Sequence, residues 1–383
     1  MLSSAVVTAA RRPIVSSLLR IPVSVVLLAL AACGGGGSPT TPSTPPPVPG
    51  FDAVAVVFYD ENANNLIDPS EIVRMGDVTI DIGGRTGRSE RATGRVVVQN
   101  VPAGTYTISV QRGTLPAYWE PGTPPSVTVP QEPGQDFAVP LRLPIGSNRP
   151  NYYLAFGDSI TQGDGASDGD GWSRSLDRMI QLRIGNSSMI KDGVGGTTSA
   201  QGSARLPSSL RRYAPAYTLV LYGTNDWNTS ACQGDVSTCF TASAFQSMID
   251  TARSNDSLPV ISTIPPANTG YDTRVPPDRN LRNQQINEQL RSLARAANVP
   301  LAETYAAFER AAPSGDYKSL FVDHVHPNDQ GHDLIAQAFL DAIFRQVSAT
   351  GSFLAIDDLP SVGFTAPGVA SGARGRRSRP VAR

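Results

Sequence analysis

Tyr152-Tyr-Leu-Ala-Phe-Gly-Asp-Ser-Ile-Thr-Gln-Gly163 decides the reading of the chain. The apolar run Tyr152–Phe156 predicts a buried strand, and Gly157-Asp158-Ser159 breaks it into a polar, glycine-rich loop. A side chain at the carboxyl end of a parallel strand lies where open α/β sheets hold their ligands. A serine hydroxyl there is a weak nucleophile and needs a base to take its proton. The chain has 3 histidines, His324, His326 and His332, so a histidine that serves Ser159 comes from that cluster.

Around this stretch, strands and helices alternate. Thr218–Tyr222 and Leu258–Ile264 read as further buried strands, and Trp172–Arg183, Arg279–Ala297 and Gly331–Arg345 as helices. In the last helix Leu334, Ile335, Ala338, Phe339, Ala342 and Ile343 form one apolar face, with Asn328 as its N-cap. Such alternation predicts a parallel sheet with helices on both faces. Residues 151–347 are enough chain for one sizeable core.

The polar signals fall into four blocks. They are Gly157-Asp158-Ser159, Asp192-Gly193-Val194-Gly195-Gly196-Thr197-Thr198, Leu221-Tyr222-Gly223-Thr224-Asn225-Asp226 and Asp323-His324-Val325-His326-Pro327. Each block alone is a weak signal. In this order and setting they resemble the SGNH hydrolases, also called GDSL esterases and lipases, over essentially all of residues 151–347. The resemblance implies a flavodoxin-like three-layer α/β/α sandwich. It also implies that Ser159 is the nucleophile, that Gly196 and Asn225 are oxyanion-hole donors, and that Asp323 and His326 form the Asp-x-x-His pair.

Acyl transfer makes the same demands. The reaction builds an oxyanion, and a fixed donor aimed at it is worth roughly 3–4 kcal/mol. The N–H groups of Ser159 and Gly196 and the side-chain amide of Asn225 are the three candidates, and a glycine at 196 lets the backbone approach substrate closely. His326 would move the proton, and Asp323 would fix its tautomer. The family's substrates imply lipid, short acyl or O-acetyl sugar esters, with no cofactor needed for catalysis.

Neighbouring residues have structural readings. His324 adjoins Asp323 and should point to the opposite side, and His332 is a capping or packing residue. A metal site on His324-x-His326 lacks a third ligand in the nearby sequence. Asp158 and Asp226 should hold turns by bonding backbone N–H groups, while Trp227 either lines a pocket or packs under its loop. A surface-binding protein with a silent hydrolase domain is the competing function, but all five matched positions are intact. A nucleotide-binding reading fails because Gly193-Val-Gly-Gly196 lacks the P-loop Lys-Ser/Thr and the Gly-x-Gly-x-x-Gly spacing.

Upstream, residues 1–33 look like an export signal, with Arg11, Arg12 and Arg20 before the apolar run Ile21–Ala32. The end of the run, Leu30-Ala31-Ala32-Cys33, resembles a bacterial lipobox, which implies cleavage before Cys33 and its lipidation. Residues 34–50 form a Gly/Pro/Thr-rich tether, and Gly34 after the cysteine implies an outer-membrane address. Export brings oxidising conditions, so Cys232 and Cys239, close together in one polar loop, predict a disulfide at the mouth of the site.

Residues 51–143 read as a small all-β domain. Val54/Val56/Phe58, Val78/Ile80/Ile82, Tyr106/Ile108/Val110 and Phe137/Val139/Leu141/Leu143 alternate as half-buried strands do. Asp60, Asn62, Asn64, Asp68 and Glu71 take EF-hand loop positions, with the Leu66 carbonyl between them and Asn65 where glycine is usual. Together with Val101-Pro-Ala-Gly-Thr-Tyr106 this resembles the calcium-binding B-type repeats of serine–aspartate-repeat adhesins, which implies a prealbumin-like sandwich. Residues 144–150 read as a linker, and residues 348–383 as a basic tail whose composition predicts disorder. A net charge of −1 argues against a nucleic-acid partner.

Overall fold

The protein is described from a computed structural model over residues 49–271 and 275–346. The readings of the export signal, Cys33, the tether up to residue 48 and the basic tail fall outside the described residues. Among the described residues no helix is long and apolar enough to cross a membrane.

The first part is all β. Its strands are β1 (Gly50–Tyr59), β2 (Thr79–Ile82), β3 (Arg85–Arg88), β4 (Arg95–Pro102), β5 (Gly104–Thr107), β6 (Ser109–Val110), β7 (Glu120–Pro121), β8 (Ser126–Val129) and β9 (Phe137–Arg142). They pair as β4-β1-β9-β7, β3-β2-β6 and β5-β8. The inward face of β1 is not the expected one. Ala53, Ala55, Val57 and Tyr59 are at most 2% exposed, while Val54 and Val56 are only half-buried. β1 is a central strand paired on both edges, Phe58 on its other face is buried as well, and small alanines suffice on the inner face. Size alone therefore picks the wrong face.

The second part is a five-stranded, wholly parallel sheet. Its strands β10 (Arg149–Gly157), β11 (Ser188–Gly193), β12 (Pro215–Leu221), β13 (Leu258–Ser262) and β14 (Leu301–Ala302) lie in the order β11-β10-β12-β13-β14. This is the doubly wound order, whose switch point lies between β10 and β12 at their carboxyl ends. The helices are α1 (Ser159–Gln162), α2 (Trp172–Ile184), α3 (Ser199–Tyr213), α4 (Ser230–Gln233), α5 (Thr241–Arg253), α6 (Arg279–Ala297), α7 (Thr304–Ala311) and α8 (Asp329–Ile343). Alternate strand residues feed opposite layers. Tyr153, Ala155, Tyr217 and Leu219 join α2, α7 and α8, whereas Leu154, Phe156 and Val220 join α3, α5 and α6. Trp172 of α2 stacks on Phe339 of α8 with ring centroids 4.6 Å apart.

The two parts share one continuous apolar core. Trp119 meets Tyr59 edge-on at 4.8 Å, Tyr118 approaches Tyr217 at 6.3 Å, and Tyr217 stacks on Tyr153 at 4.9 Å. Tyr118 Oη donates to the Pro259 carbonyl at 2.7 Å, and Asn151 Nδ2 donates to Glu61 at 2.6 Å. Burying several aromatic rings at once contributes on the order of several kcal/mol. Within the stretch read as a linker, Ile145 is buried and Asn148 Nδ2 donates to the Asn255 carbonyl at 2.8 Å, so these residues join the parts tightly. The β part grips the amino-terminal end of the parallel sheet. Ser159 lies at the other end.

Candidate active site

β10 ends at Gly157, where a Cβ would run into Thr161 Oγ1 and the Leu221 carbonyl, so no side chain fits. Asp158 caps the short helix α1 by accepting the Ile160 N–H on Oδ1 at 3.0 Å. Ser159, the first residue of α1, has a backbone N–H with no carbonyl to bond within the helix.

Ser159 Oγ lies 3.0 Å from His326 Nε2, and His326 Nδ1 lies 2.7 Å from Asp323 Oδ2. A carboxylate only accepts, so it holds the imidazole proton on Nδ1 and leaves Nε2 to accept from the serine hydroxyl. Asp323 Oδ1 accepts the N–H groups of Val325 at 2.8 Å and His326 at 2.7 Å. Burial pushes the Asp323 carboxyl up, but the ring and backbone hydrogen bonds outweigh it and hold the group below the usual carboxylate range. The arrangement can therefore take a proton from Ser159 and keep the resulting imidazolium paired.

The second block follows β11 and folds back on the first. The Val194 N–H donates to the Gly157 carbonyl at 3.0 Å, and the Gly195 N–H donates to Gln162 Oε1 at 2.8 Å. A Cβ on Gly195 would lie 3.8 Å from Ser159 Cβ, which places the loop beside the nucleophile. Gly196 is exposed with φ +73°, a conformation that glycine adopts without strain. Its N–H has no acceptor among the described residues. Thr198 and Gln201 then open α3 with a capping box.

Asn225 follows β12 and donates one amide hydrogen to the Thr197 carbonyl at 3.1 Å. Asp226 anchors the surroundings by accepting the Ser199 N–H at 2.7 Å, the Ser199 hydroxyl at 2.6 Å and the Thr241 hydroxyl at 2.6 Å. Ser159, Gly196 and Asn225 thus come together at the carboxyl ends of β10, β11 and β12. Asp158 is 1% exposed, and its Oδ2 has no partner among the described residues. Burial, then the charge of Asp226, pushes its carboxyl up to about 7.

His324 Nδ1 lies 3.9 Å from Asp323 Oδ1, and its ring is 6.4 Å from that of Tyr271. His332 is buried and bonded at both ring nitrogens, to the Trp172 N–H at 3.2 Å and to the Asp164 carbonyl at 3.1 Å. The side chain the sequence did not single out is Asp164, whose Oδ2 lies 3.9 Å from His326 Nε2. Its place after the Ser159 block, within the turn that leads to α2, was the one available signal. Cys232 and Cys239 form the expected disulfide, with Cα atoms 4.4 Å apart. Half-buried Trp227 lies near the guanidinium groups of Arg279 and Arg282, whose central carbons are 5.7 and 5.8 Å from its ring centroid.

The loop read as a calcium site runs from Asp60 to Glu71, and both of these end residues are buried. Asp60 accepts the Asn64 and Asn65 N–H groups at 3.0 Å each and pairs with Arg142 at 2.9 Å. Glu71 accepts the N–H groups of Glu61 at 2.8 Å and Asp68 at 3.2 Å. Among the described residues no group of three or more His, Cys, Asp and Glu side chains gathers as a metal site. The loop's own donor set is wider than that group, because it includes Asn62, Asn64 and the Leu66 carbonyl. An all-oxygen set of this kind has the chemistry of a hard-cation site.

Residues 155–334 match the GDSL-like Lipase/Acylhydrolase family. Similar solved structures include a lipolytic protein of the G-D-S-L family from Veillonella parvula, 25% identical, with 51% of this chain and 98% of that one covered and a TM-score of 0.41. An acetylxylan esterase from Geobacillus stearothermophilus is 20% identical, with 52% of this chain and 96% of that one covered and a TM-score of 0.42. A GDSL-like lipase from Bacteroides thetaiotaomicron is 22% identical, with 50% of this chain and 87% of that one covered and a TM-score of 0.39. No curated protein matches the chain. By the family they match, residues 155–334 are a GDSL-like lipase/acylhydrolase domain, and the protein that carries them is a carboxylic ester hydrolase.

Proposed function

We propose that this hydrolase works through an acyl-enzyme on Ser159, with His326 as general base and acid and Asp323 as its partner. The observation that carries the reading is the unbroken hydrogen-bond chain from Ser159 Oγ to His326 at 3.0 Å and from His326 to Asp323 at 2.7 Å. Ser159 Oγ attacks the ester carbonyl as its proton passes to His326 Nε2. The Ser159 and Gly196 N–H groups and the second amide hydrogen of Asn225 receive the oxyanion. His326 then protonates the departing alcohol, and a water deprotonated at the same nitrogen releases the acid. The substrates are lipid, short acyl or O-acetyl sugar esters. Hydrolysis of a nitrophenyl acyl ester series, from short chain to long, tests this reading. Activity is expected in the wild type and should fall to background in Ser159→Ala. Equal activity in the two proteins would defeat it.

The lipobox ending at Cys33 supports a lipid-anchored protein of the bacterial cell envelope, at the outer membrane. The β part is read as a prealbumin-like relative of the calcium-binding B-type repeats. Asp60, Asn62, Asn64, Leu66, Asp68 and Glu71 would hold the ion, which would brace the loop against the β part and take no share in ester cleavage.

A further inference from the structure

Asp164 is held in place from two sides. Its N–H donates to the Ser159 carbonyl at 3.0 Å, and its carbonyl accepts from His332 Nε2 at 3.1 Å. His332 is 1% exposed, and its Nδ1 accepts the Trp172 N–H at 3.2 Å, which puts the ring proton on Nε2. Burial holds this histidine below its ordinary pKa, so the neutral tautomer persists. On the next residue, Gly165 at φ +93°, a Cβ would run into the Pro327 carbonyl, so glycine lets this turn lie against the His326 loop.

The outcome is a carboxylate aimed at the reacting atoms. Asp164 Oδ2 lies 3.9 Å from His326 Nε2, the same nitrogen that faces Ser159 Oγ at 3.0 Å. The side chain is 44% exposed and makes no hydrogen bond among the described residues. Nearby charged side chains among the described residues are turned to other partners. Arg279 donates to the Thr224 carbonyl at 2.8 Å, Arg282 pairs with Asp278 at 3.0 Å, and Lys191 pairs with Asp170 at 2.6 Å. Asp168 lies 3.8 Å from Arg174.

We infer that Asp164 sets the charge preference of the site on the alcohol side of the ester, favouring cationic and neutral alcohols and rejecting anionic ones. The inference rests on the acyl-enzyme reading above. In that reading His326 Nε2 hands its proton to the leaving oxygen, so the alcohol occupies the space beside Nε2 that Asp164 borders. A carboxylate there attracts a positive group and repels a negative one, and salt screens both effects.

The test compares kcat/KM for acetate esters of choline, of its uncharged carbon isostere dimethylbutanol, and of glycolate, followed by acid release. Wild type and Asp164→Asn are measured at low and high salt. The wild type should rank choline first and glycolate last. The substitution should lower the choline-to-glycolate ratio about tenfold at low salt, and by less at high salt. Asp164→Glu, which keeps the charge, should retain the ranking and covers the case in which the asparagine variant fails to fold. An unmoved ratio in folded Asp164→Asn, or a ranking lost in folded Asp164→Glu, overturns the inference alone. A wild type silent on all three esters overturns the inference, and the nitrophenyl series then decides whether the acyl-enzyme reading fails with it.

Discussion

Replacing Asp158 by asparagine should remove a pH-dependent weakness from the fold. Asp158 is 1% exposed, and one carboxyl oxygen caps α1 while the other has no partner among the described residues. Burial, helped by the charge of Asp226, raises its pKa to about 7. In the unfolded chain the group titrates near its ordinary value of about 3.9. Between those values the folded protein keeps a proton that the unfolded chain has released. Stability from this group is therefore full below about pH 4 and is lost as pH rises to about 7. Three pKa units correspond to a ceiling of about 4 kcal/mol. Asparagine keeps the capping oxygen and cannot ionise. The melting temperature of Asp158→Asn, measured against wild type, should therefore gain several degrees between about pH 4.5 and about pH 8, at roughly 2–4 °C per kcal/mol. A difference that stays constant across that range would refute the reasoning.

Three other perturbations separate parts of the account. Asn225→Ala should lower kcat by about 100- to 1,000-fold through loss of one oxyanion donor, with the fold intact by circular dichroism. EDTA should lower the melting temperature while ester hydrolysis at room temperature continues, and an unchanged melting temperature after confirmed metal removal would count against calcium in the Asp60–Glu71 loop. Cys33→Ser should abolish incorporation of a fatty-acid probe in cells, and continued labelling would refute the lipobox.

Much of the α/β part was legible because its signals were local. An apolar run ending in Gly-Asp-Ser gave β10 and its turn, and the bounds read for α6, Arg279–Ala297, are those observed. The Asn328 cap of α8 was also readable, and it accepts the Gly331 N–H at 3.2 Å. Helix α3 was missed because Pro207 lies inside it and its buried face includes Ser199, Gly202 and Ser209, residues that carry little apolar signal. β14 is only 2 residues long, too short for any periodicity. What the sequence could not supply depends on distant partners. The inner face of β1 is set by the core it packs into, the contacts of Trp119 with Tyr59 and of Tyr118 with Tyr217 are non-local, and Asp164 matters only because His332 and His326 arrive from the far end of the chain.

The central claim is a covalent intermediate on one serine, so its most direct test is to trap it. The protein is treated with a fluorophosphonate, and the modified peptide is located by mass spectrometry. The account predicts one adduct per chain, on Ser159, with labelling abolished in Ser159→Ala and greatly slowed in His326→Ala. A stoichiometric adduct on another residue, or loss of ester hydrolysis with Ser159 unmodified, would contradict it.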